Sequence, residues 1–425
     1  MNMQDNPTPT RITPTRVAPS RITSIDAYRG LVMFLMVAAG MAIYRVAASP
    51  ELQKSLEDKP EWVHTVWKTL GFHTNHVPWS GCSLHDLIQP SFSFLVGVAL
   101  PFSLASRMEK GQGFWRMLFH AIVRALILIF LGVFLRSTGK TMTNFTFEDT
   151  LSQIGMGYVF LFLLGFAKPI WHWVVFGLIL VGYWALFAFW PLPPEGFDPT
   201  SVGVKPGWEH NYTGFFAHWN INTNPAAAFD RWFLNLFGRE KEFIGNGGGY
   251  ATISFIPTLA TMILGLIAGT WMKAGLPRYV LLGRLFVAGV LCLAAGYGLE
   301  AAGICPIVKP IWTPAFALFS GGWCFLFLFA FSLLFDNGSP LRVLAFPLVV
   351  IGANSIFIYC AYHLAGGWVR ETLKIHLALP QQYWGFETYK LFGPEYESIV
   401  RGALVILVFW LLLFWMYRKR IFIKI

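Results

Sequence analysis

Long apolar runs dominate this sequence, and their length constrains the fold more than any other feature. A helix needs about 20 apolar residues to cross a hydrocarbon core of roughly 30 Å. Backbone groups inside lipid must pair within their own segment, so such runs are predicted to be helices. Ten runs approach that length: 28–47, 84–105, 114–136, 151–167, 169–190, 252–272, 279–299, 313–335, 345–364 and 398–417. The predicted fold class is all-α, a polytopic membrane helical bundle of about ten transmembrane helices.

Composition leads to the same class. The 425-residue chain is 55% hydrophobic and 13% charged, whereas soluble domains carry about 25% charged residues. We therefore expect a lipid bilayer around the protein, and no nucleic-acid partner. The five cysteines show no Cys-x-x-Cys spacing, which predicts small apolar packing residues rather than a disulfide or a metal site.

Basic residues concentrate on one set of loops, which indicates the orientation in the membrane. They are Arg11, Arg16, Arg21, Arg107, Lys110, Lys168, Lys273, Arg278, Arg342 and the basic end of the chain. The alternate loops are the long segments 48–83, 191–251 and 365–397, so an even number of helices places both termini in the cytoplasm. Residues 1–24 are predicted to be a disordered basic cytoplasmic tail, and residues 25–425 the integral membrane domain.

Two of the runs are alike where they enter the membrane. Residues 84–105 and 252–272 both enter from the outer side through a proline, in QPSFSFLVG and IPTLATMILG, and both leave into a basic loop. Internal repeats of this kind occur in transporters. A division into two related sub-bundles is therefore a further expectation.

The segment HTNHVPWSGCSLHDLIQPSFSFLVG places histidines and a carboxylate where a membrane helix begins. The spacing of His73, His76 and His85 fits no standard metal site, and His73 and His85 are expected to be structural or interfacial. His76 stands beside Asn75 and ahead of the turn PWSG, and Asp86 follows closely enough to orient its ring. Histidine is the usual proton acceptor near neutral pH. The candidate catalytic residues are therefore His76, Asn75 and Asp86.

Five polar residues lie in or beside the predicted spans, where ionisable groups usually face a bundle interior or a water-filled cavity. Asp26 and Arg29 are three apart and suit a helix-surface ion pair, or equally an anchor at the headgroups. Arg124 lies mid-span, where its side chain reaches water only with difficulty. Gln153 and Asn354 could each make a helix–helix hydrogen bond. Together they indicate a polar interior path.

Six motifs resemble segments of the heparan-alpha-glucosaminide N-acetyltransferase family. RITSIDAYRGLVMFLMV is similar to that family's opening SxDxxRG helix, and HVPWSGCSLHDLIQPSFSFLVG to its His-x-x-Trp-x-Gly, Asp and Pro-x-Phe signature. LSQIGMGY, PIVKPIWT, ANSIFIY and MYRKRIFIKI are similar to family segments in the same order. The likeness spans the chain from Arg21 onward.

The resemblance implies a membrane-embedded acyltransferase, commonly a homodimer. Acetyl-CoA would be taken from the cytosolic side, and its acetyl group would pass to an amino sugar or related glycan on the extracytoplasmic side. The family's catalytic histidine falls on His76, as general base or as acyl carrier. Polar and basic residues along the helices would hold the ADP phosphates and the pantetheine. The candidates for this cofactor-binding role are Asp26, Arg29, Arg124, Gln153 and Asn354.

The sequence departs from the family pattern at two places. Family members usually carry an asparagine near the outer end of the first span, where this chain has Gly40. Either Asn75 takes over that role or the chemistry is altered. The family's acidic DPEG before the sixth span is NGGG here, from Asn246 to Gly249, which puts glucosamine in doubt as the acceptor.

Several alternatives stay open at this stage. A transporter of a sugar or other small solute also suits ten spans with polar interior residues, and a scaffold for envelope synthesis is a third function class. Asn75 or the Trp79 indole could stabilise an oxyanion, and Cys82 is a weaker candidate nucleophile. The compact chain without a signal peptide predicts the cytoplasmic (inner) membrane of a bacterium. Three outer tryptophans suit either a sugar ring or an interfacial belt: Trp208, Trp219 and Trp232.

Overall fold

The computed structural model describes residues 22–336 and 339–423, and within these ranges the regular secondary structure consists of helices joined by loops. The predicted tail lies outside the described residues except at its end, where the first helix already begins at Thr23. In chain order the α-helices are α1 (Thr23–Ala38), α2 (Ile43–Ala47), α3 (Pro50–Leu56), α4 (Glu61–His73), α5 (Ile88–Glu109), α6 (Phe114–Ser137), α7 (Thr150–Leu164), α8 (Pro169–Ala188), α9 (Pro225–Phe233), α10 (Phe255–Lys273), α11 (Arg278–Ala301), α12 (Pro314–Phe335), α13 (Phe346–Gly352), α14 (Ser355–His376), α15 (Leu379–Trp384) and α16 (Glu397–Arg418).

The predicted all-α membrane bundle is confirmed. Within the described residues, eight helices are long and apolar enough to cross a membrane, and a bent pair brings the number to nine. Every predicted run coincides with a helix, but two of them are not straight full-length spans. Helix α7 has 15 residues. The run 345–364 is divided between two segments, Pro340–Gly352 and Ser355–His376, which meet at 57°.

The division of that run has a local cause at Asn354. Its backbone, at φ −130° and ψ 41°, leaves the helical region. Its side chain holds the end of the chain, because Nδ2 donates to the carbonyl of Ile421 at 3.0 Å and Oδ1 accepts from the N–H of Ile423 at 2.9 Å. Asparagine offers backbone groups such alternatives to helical bonding, and here they stabilise a helix break.

The centre of the bundle is the crossing of α5 and α10. The protein buries 89% of the membrane span that contains α10 and 61% of the span that contains α5, but 17% of the α11 span. The two backbones touch, since a Cβ on Gly97 would lie 1.9 Å from the carbonyl oxygen of Met262, and one on Gly265 would lie 1.9 Å from that of Phe94. Only glycine permits this approach. The two helices that begin near a proline thus pack together, while two related sub-bundles stay a prediction.

A second hydrophobic core lies at one end of the bundle. It is built from the loop before α5, the segment between α8 and α10, and the loop between α11 and α12. Trp79, Trp219 and Trp312 are its largest buried side chains. A single antiparallel bridge pairs Ser80 with Val308. It brings residues that precede α5 next to residues that precede α12.

Candidate active site

His76 lies in the loop between α4 and α5, at the end of the bundle that carries the second core. Gly81 turns this loop with φ +97°, in the left-handed region that favours glycine. Its N–H donates to the carbonyl of Ile307 at 2.9 Å. The loop is therefore held from two sides, and the His76 side chain is 47% exposed.

Asp86 lies in a short turn of 3-10 helix directly before α5, and its side chain is 1% exposed. Its Oδ2 accepts hydrogen bonds from the N–H of Val77 at 3.2 Å and from the N–H and hydroxyl of Ser83, both at 3.0 Å. Its Oδ1 lies 2.7 Å from Nδ1 of His76. A fixed carboxylate at this distance orients the imidazole ring.

Lys309 is the third member of the group, and it is not among the residues predicted from the sequence. Its ammonium lies 3.1 Å from Oδ1 of Asp86 and 3.1 Å from Nδ1 of His76. Its side chain is 6% exposed, and buried charges are normally paired in this way. The loop PIVKPIWT delivers it, because Thr313 ties this loop to α12 through hydrogen bonds to the carbonyl of Pro306 (2.7 Å) and from the N–H of Phe316 (3.2 Å).

The hydrogen-bond pattern assigns the proton on His76. Asp86 accepts from Val77, Ser83 and Lys309, so it acts as an ionised acceptor. The shortest contact of Nδ1 is to this carboxylate, at 2.7 Å. Nδ1 therefore carries the proton, and Lys309 donates to the carboxylate rather than to the ring. In the neutral ring, Nε2 is then the acceptor nitrogen.

His76 and Lys309 line a cavity of about 570 Å³, within the roughly 300–1,000 Å³ of ligand pockets. His85 also lines it, with its ring centroid 4.5 Å from that of His76. His85, expected to be structural, is thus part of the cavity wall. The remaining wall comes from five helices or their adjoining loops and from the loop before α10. It is represented by Met33, Gln89, Arg136, Glu148, Tyr250 and Tyr362.

Gly40, where the family resemblance leads one to expect asparagine, faces a tyrosine. A Cβ at Gly40 would lie 2.3 Å from the hydroxyl of Tyr362 and 3.5 Å from a guanidinium nitrogen of Arg370. Tyr362 also lines the cavity, so a phenol occupies the space that a longer residue 40 would need. Asn75 is exposed, and its carbonyl accepts from the Ser83 hydroxyl at 2.6 Å. It is not part of the wall of this cavity.

A second cavity, of about 300 Å³, lies toward the opposite ends of α5, α6 and α7. Arg107, His120, Arg124 and Tyr158 give it polar and basic character. Nη1 of Arg124 donates to the Tyr158 hydroxyl at 3.0 Å, and the guanidinium lies 4.5 Å from the centre of the Tyr158 ring. Nε of Arg124 is buried without a hydrogen-bond partner among the described residues.

The other predicted cofactor-binding residues are not brought together at either cavity. Asp26 and Arg29 form the expected ion pair, at 3.3 Å. Gln153 is buried and its amide donates to the carbonyls of Phe147 at 2.8 Å and Thr252 at 3.1 Å. Asn354 bonds the end of the chain, as described above. Their cofactor-binding role stays a prediction, and Arg124 is the one of the five that lines a cavity.

Two other candidates take structural positions. Nδ1 of His73 accepts from the N–H of Leu84 at 3.2 Å, in line with a structural role. Burial, together with the nearby charge of Asp86, raises the pKa of the Cys82 thiol, which keeps it protonated and weakly nucleophilic. No group of three or more His, Cys, Asp or Glu side chains among the described residues is arranged to hold a metal ion.

The candidate tryptophans belong mostly to the second core. Trp79 is 1% exposed and meets Trp208 edge-on, with ring centroids 6.2 Å apart. It is not part of the wall of the His76 cavity, and its indole nitrogen is buried without a hydrogen-bond partner among the described residues. Its role as an oxyanion donor stays a prediction. Trp219 is fully buried, whereas Trp232 is 61% exposed.

Fold and site together define a polytopic helical membrane protein with a His–Asp–Lys group at a polar cavity near one end of the bundle. Among curated proteins, the chain is similar to the heparan-alpha-glucosaminide N-acetyltransferase of Homo sapiens, with 21% identity over 404 residues. The match covers 83% of this chain and 56% of that protein, so the chain spans little more than half of the relative's length. No family model matches the chain. The similarity supports a distant relationship to an N-acetyltransferase.

Proposed function

We propose that this protein is a transmembrane acetyltransferase. It would move the acetyl group of cytosolic acetyl-CoA to an amino sugar or related glycan on the extracytoplasmic side. The observation that carries the proposal is the His76–Asp86 contact of 2.7 Å at the wall of a cavity. The distant similarity to an N-acetyltransferase supports the same chemistry. Fold alone would not, since one fold serves many functions.

The site supports a direct transfer. Nε2 of His76 accepts a proton from the acceptor's amine or hydroxyl while that atom attacks the thioester carbonyl. A C–N or C–O bond forms, the C–S bond breaks, and the imidazolium returns the proton to the leaving CoA thiolate. Asp86 stabilises the imidazolium, as carboxylates do in catalytic triads. The alternative is transfer through acetyl-His76, in which Nε2 attacks the thioester first.

Lys309 has a positioning role in this proposal. Its ammonium shares Oδ1 of Asp86 with the imidazole, so it offsets the charge of a carboxylate that would otherwise be isolated from water. It also fixes the carboxylate from the side opposite to the Ser83 loop. Without the ammonium, the His76 imidazole would be the neighbour left to neutralise the negative charge of Asp86. The neutral form of the ring, which acts as the base, would then be less favoured.

Two cavities support a route for the donor across the bundle. Along α5 the cavities are separated by eight residue steps, from Phe92 to Leu100, and along α7 also by eight, from Thr150 to Tyr158. At 1.5 Å per residue this is about 12 Å of helix. Arg107 and the predicted Arg124 would hold phosphates at one end, so that the flexible pantetheine arm carries the thioester toward His76. Asp26, Arg29, Gln153 and Asn354 remain candidates for cofactor binding along this path.

The orientation and the surroundings belong to the same proposal. The basic loops support cytoplasmic termini, which would put the Arg107–Arg124 cavity on the cytosolic side and His76 outside. A bacterial cytoplasmic membrane and a homodimer complete the proposal. The alternative function is a solute transporter, for which two cavities near opposite ends of one helix group are also suitable.

Reconstituted vesicles test the proposal against that alternative. Purified protein is incorporated into liposomes, with labelled acetyl-CoA on the side of the basic loops and candidate glycans on the other side. An acetyltransferase releases free CoA in proportion to acetylated glycan, as seen by mass spectrometry, and carries no glycan across the membrane. Accumulation of unmodified glycan inside the vesicles, without CoA release, would instead support the transporter.

A further inference from the structure

The cavity that contains His76 also contains two carboxylates outside the catalytic group. Glu148 and Asp149 end the loop between α6 and α7 and both line this cavity. Asp149 is committed to the fold, because its carboxylate caps α7. It accepts from the N–H of Leu151 at 3.0 Å, the N–H of Ser152 at 3.1 Å and the Ser152 hydroxyl at 2.6 Å. These three hydrogen bonds leave Asp149 little capacity to accept a further strong hydrogen bond from a ligand.

Glu148 is in a different position. Its side chain is 14% exposed, and its carboxylate meets Arg136 at 3.8 Å, too far for a hydrogen bond. The Arg136 side chain is 50% exposed, so water satisfies much of that charge. Burial raises the pKa of Glu148, which the charge of Arg136 only partly counteracts. The backbone N–H of Glu148 itself also contacts the carboxylate. The carboxylate is therefore largely desolvated with this one internal donor, a costly state unless a further donor arrives from the cavity.

The other charges near Glu148 do not fill this need. Arg239 donates to the backbone carbonyls of Phe145 and Leu234, so its guanidinium is engaged in the fold. Asp149 adds a second negative charge next in the chain. Arg136 can pair with a ligand's hydroxyl oxygen while Glu148 accepts a hydrogen bond, an arrangement that suits a small polar molecule carrying both groups.

We propose that Glu148 binds the acceptor and selects one that carries an amine. The carboxylate would accept hydrogen bonds from the acceptor's ammonium inside the cavity shared with His76. The ammonium would then release one proton to water, and the neutral amine so formed would attack the thioester while His76 accepts the next proton. A neutral sugar hydroxyl or an amide lacks the charge that makes this contact strong. Glu148 is thus a specificity-determining residue, while bond making and proton transfer stay with His76. The inference rests on the proposed acetyl transfer.

Binding measurements with two sugars test the role of Glu148. Glucosamine carries the charged amine, whereas N-acetylglucosamine has the same ring without the charge. By calorimetry in detergent, the wild type should bind glucosamine about tenfold or more tightly than N-acetylglucosamine. Glu148→Gln keeps the shape and removes the charge, and should bring the two affinities to within about threefold. Glu195→Gln removes a carboxylate that is exposed and lies outside the cavity, and should keep the wild-type preference.

Glu148→Gln is compared at equal folding, which an unchanged stabilisation by acetyl-CoA would establish. Three outcomes overturn the inference: no detectable glucosamine binding by the wild type, no preference over N-acetylglucosamine, or an unchanged preference in Glu148→Gln. The acetyl-transfer assay separates this inference from the proposed function. If transfer depends on His76 and is unchanged in Glu148→Gln, the proposed acetyltransferase function stands and the proposed role of Glu148 is wrong. If no transfer is detected but the preference for an amine depends on Glu148, the proposed acetyltransferase function is wrong and the cavity is an amine-binding site.

Discussion

Breaking the buried ion pair of Lys309 and Asp86 should destabilise the protein from either side. The two side chains are 6% and 1% exposed, and their charged atoms lie 3.1 Å apart. Lys309→Met leaves the carboxylate without its ammonium, and Asp86→Asn leaves the ammonium without its carboxylate. Removal of one partner of a buried pair costs about 3–5 kcal/mol. We expect the lower end for Lys309→Met, because the imidazole of His76 remains beside the carboxylate.

The double variant distinguishes a charge pair from two independent residues. With Lys309→Met and Asp86→Asn combined, no isolated charge is left, so the loss should be smaller than the two single losses added together. Coupling between contacting residues is typically about 0.5–3 kcal/mol, and here we expect more than about 1 kcal/mol. Acetyl transfer should stay low in the double variant, because the carboxylate that orients His76 is absent. A double variant that regains stability but not activity would separate the two roles of Asp86, which are to pair with Lys309 and to orient His76.

These losses of stability are measured by thermal unfolding of the detergent-solubilised protein, with gel filtration used to quantify the protein that stays folded after heating. Each single variant should lower the Tm by roughly 5–10 °C, given a few degrees per kcal/mol. Lys390→Met is the matched control, since Lys390 pairs with Glu387 at the surface and is 44% exposed. Exposed pairs contribute little, so its Tm should change by about 1 °C or less. Strictly additive losses from Lys309→Met and Asp86→Asn would refute the coupled buried pair.

Further predictions follow from the second cavity, the loops and the buried thiol. Arg124→Gln should lower the apparent affinity for acetyl-CoA, measured from the ligand-induced rise in Tm, about tenfold. Arg116→Gln, at an exposed arginine, should leave that affinity unchanged. Equal effects of the two variants would remove Arg124 from the donor site. Reporters fused after Arg107, Lys273 and Arg342 should be cytoplasmic and those near Glu61, Asn211 and Glu387 external, and one inversion would reverse the proposed sidedness. Because burial raises the pKa of Cys82, its thiol should resist maleimide between pH 7 and 8, and Cys82→Ser should keep transfer within about threefold of wild type. Fast labelling with loss of transfer would return Cys82 to the candidates for nucleophile.

The fold was predictable because its main determinant is local. An apolar run of about 20 residues specifies a helix whatever its neighbours are, and all ten runs became helical. Breaks were not predictable in the same way. Asn354 interrupts its run because its partners, Ile421 and Ile423, belong to the distant end of the chain. The sequence showed a polar residue there but not which backbone groups it would meet.

In the candidate site, too, contacts between residues close in sequence were predictable and contacts between distant residues were not. His76 and Asp86 are ten residues apart, so a turn followed by a helix brings them together and the sequence could identify both. Lys309 is 223 positions from Asp86 and reaches it through the Ser80–Val308 bridge. A lysine in the otherwise apolar PIVKPIWT was the available signal. Glu148 gave none, because an acidic residue before a helix is common and only the hydrogen bonds made in the folded chain distinguish Glu148 from Asp149.

The most direct test of the account is the rate of acetyl transfer after loss of the His76 imidazole. His76→Ala should lower the rate by about 10²–10⁴-fold, the usual contribution of proton transfer. The rise in Tm caused by acetyl-CoA should persist, because the donor's phosphates are expected at the other end of the bundle. His73→Ala, an exposed histidine of the same segment, should stay within about threefold of the wild type. Transfer by His76→Ala at a rate within a few-fold of the wild type, at equal folding, would contradict the central claim.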